Sequence, residues 1–79
     1  MAVTLVFLGR LEDLAGAAER MAAAGPLTDV IAALDPALAE ALSGPRIRVA
    51  VNGALVAARE GVVLADGDEV AFLPPVSGG

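Results

Sequence analysis

The residues best placed to do chemistry are the last four, Val76-Ser77-Gly78-Gly79, together with the terminal carboxylate. Because the two glycines carry no side chains, this segment could enter a narrow tunnel on another protein and present its last carbonyl to a nucleotide phosphate or a nucleophile. The competing interpretation is a frayed, inert chain end, which is what most glycine-rich termini are. Residue type and spacing alone favour the inert end.

The remaining side chains offer little catalytic chemistry. Histidine, cysteine, lysine, tyrosine and tryptophan are all absent, which leaves carboxylates, a few hydroxyls and five arginines. The chain therefore lacks the usual general base and the commonest metal ligand, and it cannot form disulfides. The composition argues against an enzyme that works with its own side chains, and we expect no metal site.

Charge and hydropathy argue against other classes of protein. A net charge of −5 disfavours nucleic-acid binding and suits a partner with a basic docking surface, although an acidic balance is equally ordinary in a soluble protein. No run approaches the roughly 20 apolar residues of a membrane-spanning helix, and the N-terminus lacks the basic start of a secretory signal. We therefore expect a cytoplasmic protein that does not act at a membrane. The all-arginine basic set fits thermophily and coding bias equally.

The residues before the C-terminal segment predict how it is presented. Residues 66–68, Asp-Gly-Asp, favour a tight turn, and residues 69–73 alternate as a strand with Val70 and Phe72 on one face. Pro74-Pro75 then removes two backbone donors, which ends the strand and favours an extended exit from the body.

The N-terminal half predicts a strand followed by short helices. Residues 2–8 are apolar on both faces, which is typical of a strand at the centre of a sheet or covered by a partner. Residues 10–15 favour a helical turn that the following glycine stops. Large aliphatic residues at helical spacing predict two further short helices, over residues 28–34 and 36–42, with Thr28 as the N-cap of the first.

A strand and a hairpin are predicted after the helices. Residues 46–52 alternate cleanly, and Asn52-Gly53 is the strongest short hairpin signal in the chain. The alternation assigns one face to Ile47, Val49 and Val51 and the other to Arg46, Arg48 and Ala50.

The sequence of residues 64–79, with Val51-Asn52-Gly53 before it, closely resembles the small subunit of molybdopterin synthase, a family of ubiquitin-like sulfur carriers. The likeness covers essentially the whole chain, and its specific part is a Gly-Asp-Glu-Val strand leading into Pro-Pro-x-x-Gly-Gly at the terminus. It implies an α+β, β-grasp fold, in which a mixed sheet of about five strands packs on one helical layer. It also implies one domain, residues 1–79, with a flexible tail at residues 74–79. With this resemblance, a functional C-terminus becomes the favoured interpretation over an inert one.

The resemblance also decides an ambiguous segment. Residues 17–23 are rich in alanine, glutamate and methionine, which favour helix by intrinsic propensity. The family places the second strand of an N-terminal hairpin there, and we follow the family.

Partners and a mechanism are implied by the same resemblance. A ubiquitin-activating-like adenylyltransferase would use ATP to convert the terminal carboxylate to an acyl-adenylate, and a sulfur donor protein would supply the sulfur that replaces AMP as a thiocarboxylate. The large subunit of molybdopterin synthase would then take the tail and pass the sulfur to cyclic pyranopterin monophosphate. On this hypothesis the chain is a carrier subunit without a permanently bound cofactor, and the active site lies on the large subunit.

Individual residues receive roles from this hypothesis. Gly79 carries the adenylate and then the sulfur, and Gly78 gives clearance for threading. The residues that form the stalk and contact the tunnel mouth are Pro74, Pro75, Val76 and Ser77. Strand alternation adds an outward-facing apolar patch beside the exit, in the region through which the family docks: Leu8, Leu55 and Leu73.

Two other classes of function remain open. The first is a sulfur carrier for another pathway, such as thiamine or cysteine synthesis, or a ubiquitin-like modifier that uses the same carboxylate to form isopeptide bonds with target lysines. The second is a binding module with an inert tail, for which removal of Gly78 and Gly79 would change nothing.

Overall fold

The secondary structure follows the predicted pattern of apolar residues and turns through residues 1–75, which are the residues that the computed structural model describes. In chain order the elements are β1 (Ala2–Phe7), α1 (Arg10–Ala15), β2 (Glu19–Ala23), β3 (Gly25–Pro26), α2 (Leu27–Ala32), α3 (Pro36–Leu42), β4 (Arg48–Val51), β5 (Ala54–Leu55), β6 (Val63–Leu64) and β7 (Glu69–Leu73). Within this part of the chain, no helix has the length and apolar character needed to span a membrane.

Five of the strands form one mixed sheet in the order β2–β1–β7–β4–β5. At its centre β1 and β7 run parallel, with Leu5 opposite Val70 and Phe7 opposite Phe72. The other neighbouring strands are antiparallel. The central place of β1 is the one predicted from its two apolar faces. With all three helices on one side of the sheet, the arrangement is the predicted β-grasp fold.

The helices and one face of the sheet enclose the core. Leu5, Phe7, Val70 and Phe72 of the two central strands are at most 1% exposed. The rings of Phe7 and Phe72 stack with centroids 5.8 Å apart and planes 13° apart. Each large apolar side chain buried in this way stabilises the fold by about 1.5–3 kcal/mol. The helical residues that complete the core are Leu11, Leu27, Val30, Ile31, Leu38 and Leu42.

The prediction that Thr28 is the N-cap of the helix expected over residues 28–34 is wrong. α2 begins at Leu27 after Pro26, and Thr28 lies exposed in its first turn. The reason is a contact between distant segments. β3 pairs with β6 as a second, two-stranded sheet, and the Leu27 N–H donates to the Val62 carbonyl at 2.9 Å. This pairing sets the direction of the chain before Thr28 is reached.

β4 is shorter at both ends than the strand predicted over residues 46–52. At its start, the Ile47 N–H donates to the Gly44 carbonyl at 3.2 Å, which closes a turn around Pro45 and Arg46. At its end, Asn52 already belongs to the hairpin turn. The alternation of side chains was nevertheless assigned correctly.

The two predicted turns lie together at the end of the sheet where β7 begins. Asn52 and Gly53 both have positive φ, 50° and 86°, as a two-residue type I′ hairpin requires. Gly67 in the other turn has a φ of 90°. The Asn52 side chain joins the turns, because its amide donates to Asp68 at 3.0 Å and its oxygen accepts the Glu69 N–H at 2.9 Å.

Candidate functional site at the tail exit

The candidate site is the place where β7 ends and the C-terminal segment leaves the sheet. β7 ends at Leu73, and Pro74 and Pro75 follow it outside the ladder, as two residues without N–H groups must. The Leu8 N–H donates to the Phe72 carbonyl at 3.2 Å, so β1 accompanies β7 to its end. The exit therefore lies at the centre of the sheet rather than at an edge. We call Pro74 and Pro75 the stalk.

Gly9 fixes the position of the first stalk residue. Its φ is 57°, in the region that side chains disfavour, and a Cβ built on it would lie 3.0 Å from Cγ of Pro74. Gly9 also precedes α1, so the chain turns away from the sheet where the stalk passes. The stalk thus starts against the backbone of the β1–α1 connection, which defines its direction.

Of the six residues predicted to thread and carry sulfur, residues 74–79, the last four lie outside the described residues. They are Val76, Ser77, Gly78 and Gly79. Their roles stay predictions, and the structure supplies the root from which they extend. Both stalk prolines, Pro74 and Pro75, are half-buried at that root.

Leu8 and Leu73, two of the three residues predicted to form an apolar patch, lie side by side at the exit. Phe7 pairs with Phe72 inside the core, so the next residue of each strand faces the opposite side of the sheet. Leu8 is 40% exposed, and Leu73 is half-buried. Apolar surface therefore borders the stalk directly.

Leu55, the third predicted patch residue, lies two strands away from β7. It is 62% exposed on β5 and pairs with Ala50, which pairs in turn with Ala71 of β7, and Ala71 lies beside Val6 of β1. At about 4.8 Å between strands, Leu55 is roughly 10 Å from β7, and only alanine side chains lie between. Because Ala50 is only 8% exposed, little apolar surface joins Leu55 to the two leucines at the exit. We call the whole surface the outer apolar face: Val6, Leu8, Ala50, Leu55, Ala71 and Leu73.

Charges of opposite sign lie at the two ends of the outer apolar face. Arg48 pairs with Leu73 across β4 and β7, at the exit. Glu69 pairs with Thr4 at the other end of β7. The residues that line a groove beside the stalk are Pro45, Arg46, Arg48, Leu73, Pro74 and Pro75. Alternation had placed both arginines on this side, but nothing in the sequence showed that they flank the stalk.

Arg59 supports the site and was missed by sequence reasoning. Its half-buried guanidinium donates to the carbonyls of Leu42, Gly44 at 2.9 Å and Ile47 at 2.6 Å. These acceptors lie at the C-terminal end of α3 and in the turn before β4, and carbonyls at a helix end have no partner within the helix. Arg59 therefore holds the turn that carries Arg46. A single arginine in a loop has no spacing signal that would reveal this role.

Asp68 stabilises the opposite end of the sheet. The Ala65 N–H donates to its carboxylate at 2.8 Å and the Asn52 amide at 3.0 Å, and these bonds hold the pKa of Asp68 below its ordinary value of 3.8. Within residues 1–75, no group of three or more histidine, cysteine, aspartate or glutamate side chains could hold a metal ion.

Comparisons with known proteins agree with this geometry. A family model described as the ThiS family matches residues 5–79. A comparison with curated protein sequences gives no match. Among solved structures, the chain is similar to the crystal structure of small archaeal modifier protein 1 from Haloferax volcanii, with 27% identity, complete coverage of both chains and a TM-score of 0.82.

Two further solved structures are similar over nearly the whole chain. The solution structure of small archaeal modifier protein 1 from Methanosarcina acetivorans is 29% identical, with 99% of this chain and 96% of that chain covered and a TM-score of 0.82. A Pyrococcus furiosus protein that has been proposed to be molybdopterin converting factor subunit 1 is 27% identical. The similarity covers 96% of this chain and 99% of that chain, with a TM-score of 0.72.

Proposed function

Because this chain belongs to the ThiS family, we propose that it is the sulfur carrier subunit of a molybdopterin synthase, and that its working group is the carboxyl of Gly79. The observation that carries the proposal is the exit. A central strand ends in two prolines, Gly9 holds the first of them, and apolar surface borders both. A rigid body that presents a bare chain end beside a docking face suits a carrier.

The proposed chemistry takes place on the terminal carboxylate. One of its oxygens attacks the α-phosphorus of ATP on a separate adenylyltransferase, the bond to the β-phosphate breaks, and pyrophosphate leaves. Sulfide sulfur, supplied by a sulfur donor protein, attacks the acyl carbon, and AMP leaves with the electron pair of the carbon–oxygen bond. The resulting thiocarboxylate passes its sulfur to cyclic pyranopterin monophosphate on the large subunit. This chain contributes position, and its partners contribute the catalytic groups.

The length of the tail supports docking at the outer apolar face. Four residues follow Pro75 in the sequence. An extended segment of that length reaches about 13–14 Å at most. An enzyme that acts on Gly79 must therefore approach closely to the exit. The surface it meets there combines apolar side chains, Leu8 and the half-buried Leu73, with the exposed arginines on the β4 side.

Intact mass spectrometry tests the proposal. The chain is incubated with ATP, sulfide and the adenylyltransferase encoded by the same genome, and its mass should rise by the difference between sulfur and oxygen. A mass that does not change would refute the carrier function. Gly78→Val should fold normally but fail to load, because a branched side chain obstructs the tunnel. Normal loading of that variant would refute the threading argument.

A ubiquitin-like protein modifier is the second candidate. It is favoured by the similar structures of small archaeal modifier protein 1, of which the two described above have TM-scores of 0.82. In this function the acyl-adenylate would react with lysine amines of target proteins. The chain itself contains no lysine, so it could not build chains on its own side chains. Affinity purification under denaturing conditions would reveal covalent adducts, and free chain alone would exclude them.

A further inference from the structure

Two arginines flank the stalk on the side of β4. Arg48 lies beside Leu73, and Arg46 lies in the turn two residues before it; both are exposed. They line the same groove as the two stalk prolines. Two of the five cations of a chain with a net charge of −5 are thus gathered at the exit.

The whole docking face is polarised along the strands. It is cationic beside the stalk on the side of β4 and apolar in the middle, where exposed Glu19 of β2 pairs with Val6 at the opposite edge. At the far end lie Glu69 and, in the preceding turn, Asp68. A partner that rests on this face meets complementary charge in one orientation only, because the reversed orientation places like charges opposite each other.

We propose that the groove at Arg46 and Arg48 binds carboxylate side chains on the adenylyltransferase that receives the tail, a proposal that rests on the proposed function. Guanidinium groups bind carboxylates through paired hydrogen bonds of fixed geometry. A pair of arginines can therefore fix the rotational orientation of a bound partner as well as attract it. The groove is built partly from Pro74 and Pro75, so its occupant contacts the stalk itself. Binding there orients the carrier about its stalk while the tail enters.

The nucleotide is a poorer occupant of this groove. The phosphate that joins the chain is attached at Gly79, four residues beyond Pro75. With the tail extended, that phosphate lies about 13–14 Å past the stalk. Arg46 and Arg48 remain at the exit, where they meet the surface of the enzyme around the tunnel rather than the ATP inside it.

Exchange of radiolabelled pyrophosphate into ATP tests the groove. The adenylyltransferase from the same genome catalyses the exchange only when a carrier supplies the carboxylate, so the KM for the carrier reports docking. Arg48→Glu should raise this KM by about 3- to 10-fold with little change in kcat, and higher salt should reduce the difference. Arg20→Glu is the matched control, because it makes the same charge change at an exposed position on β2, and it should leave the KM within about twofold.

The outcomes separate this proposal from the proposed function. If the wild-type chain supports no exchange, the proposed function fails and the groove proposal fails with it. If exchange occurs with equal KM for the wild type, Arg48→Glu and Arg46→Glu, the groove proposal alone is overturned. If the wild type elutes as a dimer in gel filtration and Arg48→Glu elutes as a monomer, the groove binds a second copy of this chain, which also overturns it.

Discussion

Replacing Arg59 by alanine should destabilise the fold and loosen the groove beside the stalk. The guanidinium donates to three carbonyls, those of Leu42, Gly44 and Ile47. Alanine leaves all three acceptors without this partner, and it removes the aliphatic part of the side chain from a half-buried position. The turn between α3 and β4 then loses the residue that holds it in place.

The magnitude follows from these contacts. A net contribution of about 1 kcal/mol per hydrogen bond, and somewhat more from a charged donor, gives a loss of about 2–4 kcal/mol. Chains of this length have a free energy of unfolding of roughly 4–12 kcal/mol in total. The variant should therefore fold, but with a much smaller free energy of unfolding than the wild type. At about 4–8 °C per kcal/mol for small domains, the melting temperature should fall by roughly 8–32 °C.

Urea and thermal unfolding, followed by circular dichroism, measure this effect. Arg59→Lys keeps the charge but cannot reach all three carbonyls, so its stability should lie between those of the wild type and Arg59→Ala. Arg20→Ala removes an exposed arginine and should change the free energy of unfolding by less than about 0.5 kcal/mol. The reasoning is refuted if Arg59→Ala unfolds within about 0.5 kcal/mol of the wild type.

Three other substitutions probe the exit, the far turn and the docking face. Gly9→Ala and Gly16→Ala both place a side chain at positive φ, 57° and 78°, which costs about 1–2 kcal/mol each, but only Gly9 has Pro74 within 3.0 Å of the added Cβ. Gly9→Ala should therefore lower the melting temperature more, and equal losses would contradict the stalk contact. The lowered pKa of Asp68 means that its contribution to stability is complete above the ordinary value of 3.8 and is lost as the pH falls through the folded value. The melting temperature of Asp68→Asn should consequently decline less than that of the wild type in an acid titration, and parallel declines would argue against the two hydrogen bonds. Leu55→Asp, at a position 62% exposed, should leave the free energy of unfolding within about 0.5 kcal/mol but slow thiocarboxylate loading, whereas normal loading would argue against docking at the outer apolar face.

The order of elements was predictable because its signals are local. Alternation alone placed Val70 and Phe72 on the buried face of the last strand, and the Asn52-Gly53 pair marked its hairpin through the positive φ that both residues adopt. The end of β7 followed from two consecutive prolines. None of these predictions needed knowledge of the rest of the chain.

Features that depend on distant contacts were not predictable from local pattern. The alanine-rich segment around β2 favours helix by propensity, yet it forms a strand because β1 offers an apolar partner along its length. The start of α2 at Leu27 is set by the pairing of β3 with β6, which no local pattern signals. Only the resemblance to the ubiquitin-like sulfur carriers predicted a strand at β2.

The candidate site likewise has some features that local pattern predicts and others that depend on distant contacts. The proximity of Leu8 and Leu73 follows from one parallel register. The distance of Leu55 from the exit depends on the strand order, which places β4 between β5 and β7. Two other features involve residues far apart in the sequence. Gly9 contacts Pro74, and Arg59 donates hydrogen bonds to three backbone carbonyls. Side-chain geometry of this kind becomes visible only once the chain is folded.

The placement of β7 has a consequence for biosynthesis. It is the last strand of the described chain, yet it lies between β1 and β4 in the middle of the sheet. On a ribosome this strand is synthesised after the other described elements. The five-stranded sheet therefore cannot form until translation has passed Leu73. Prematurely terminated fragments leave Phe7 without its stacking neighbour and split the sheet into two halves. A fragment that ends before β7 therefore exposes apolar side chains of β1 and β4, such as Leu5 and Val49, which the complete sheet buries.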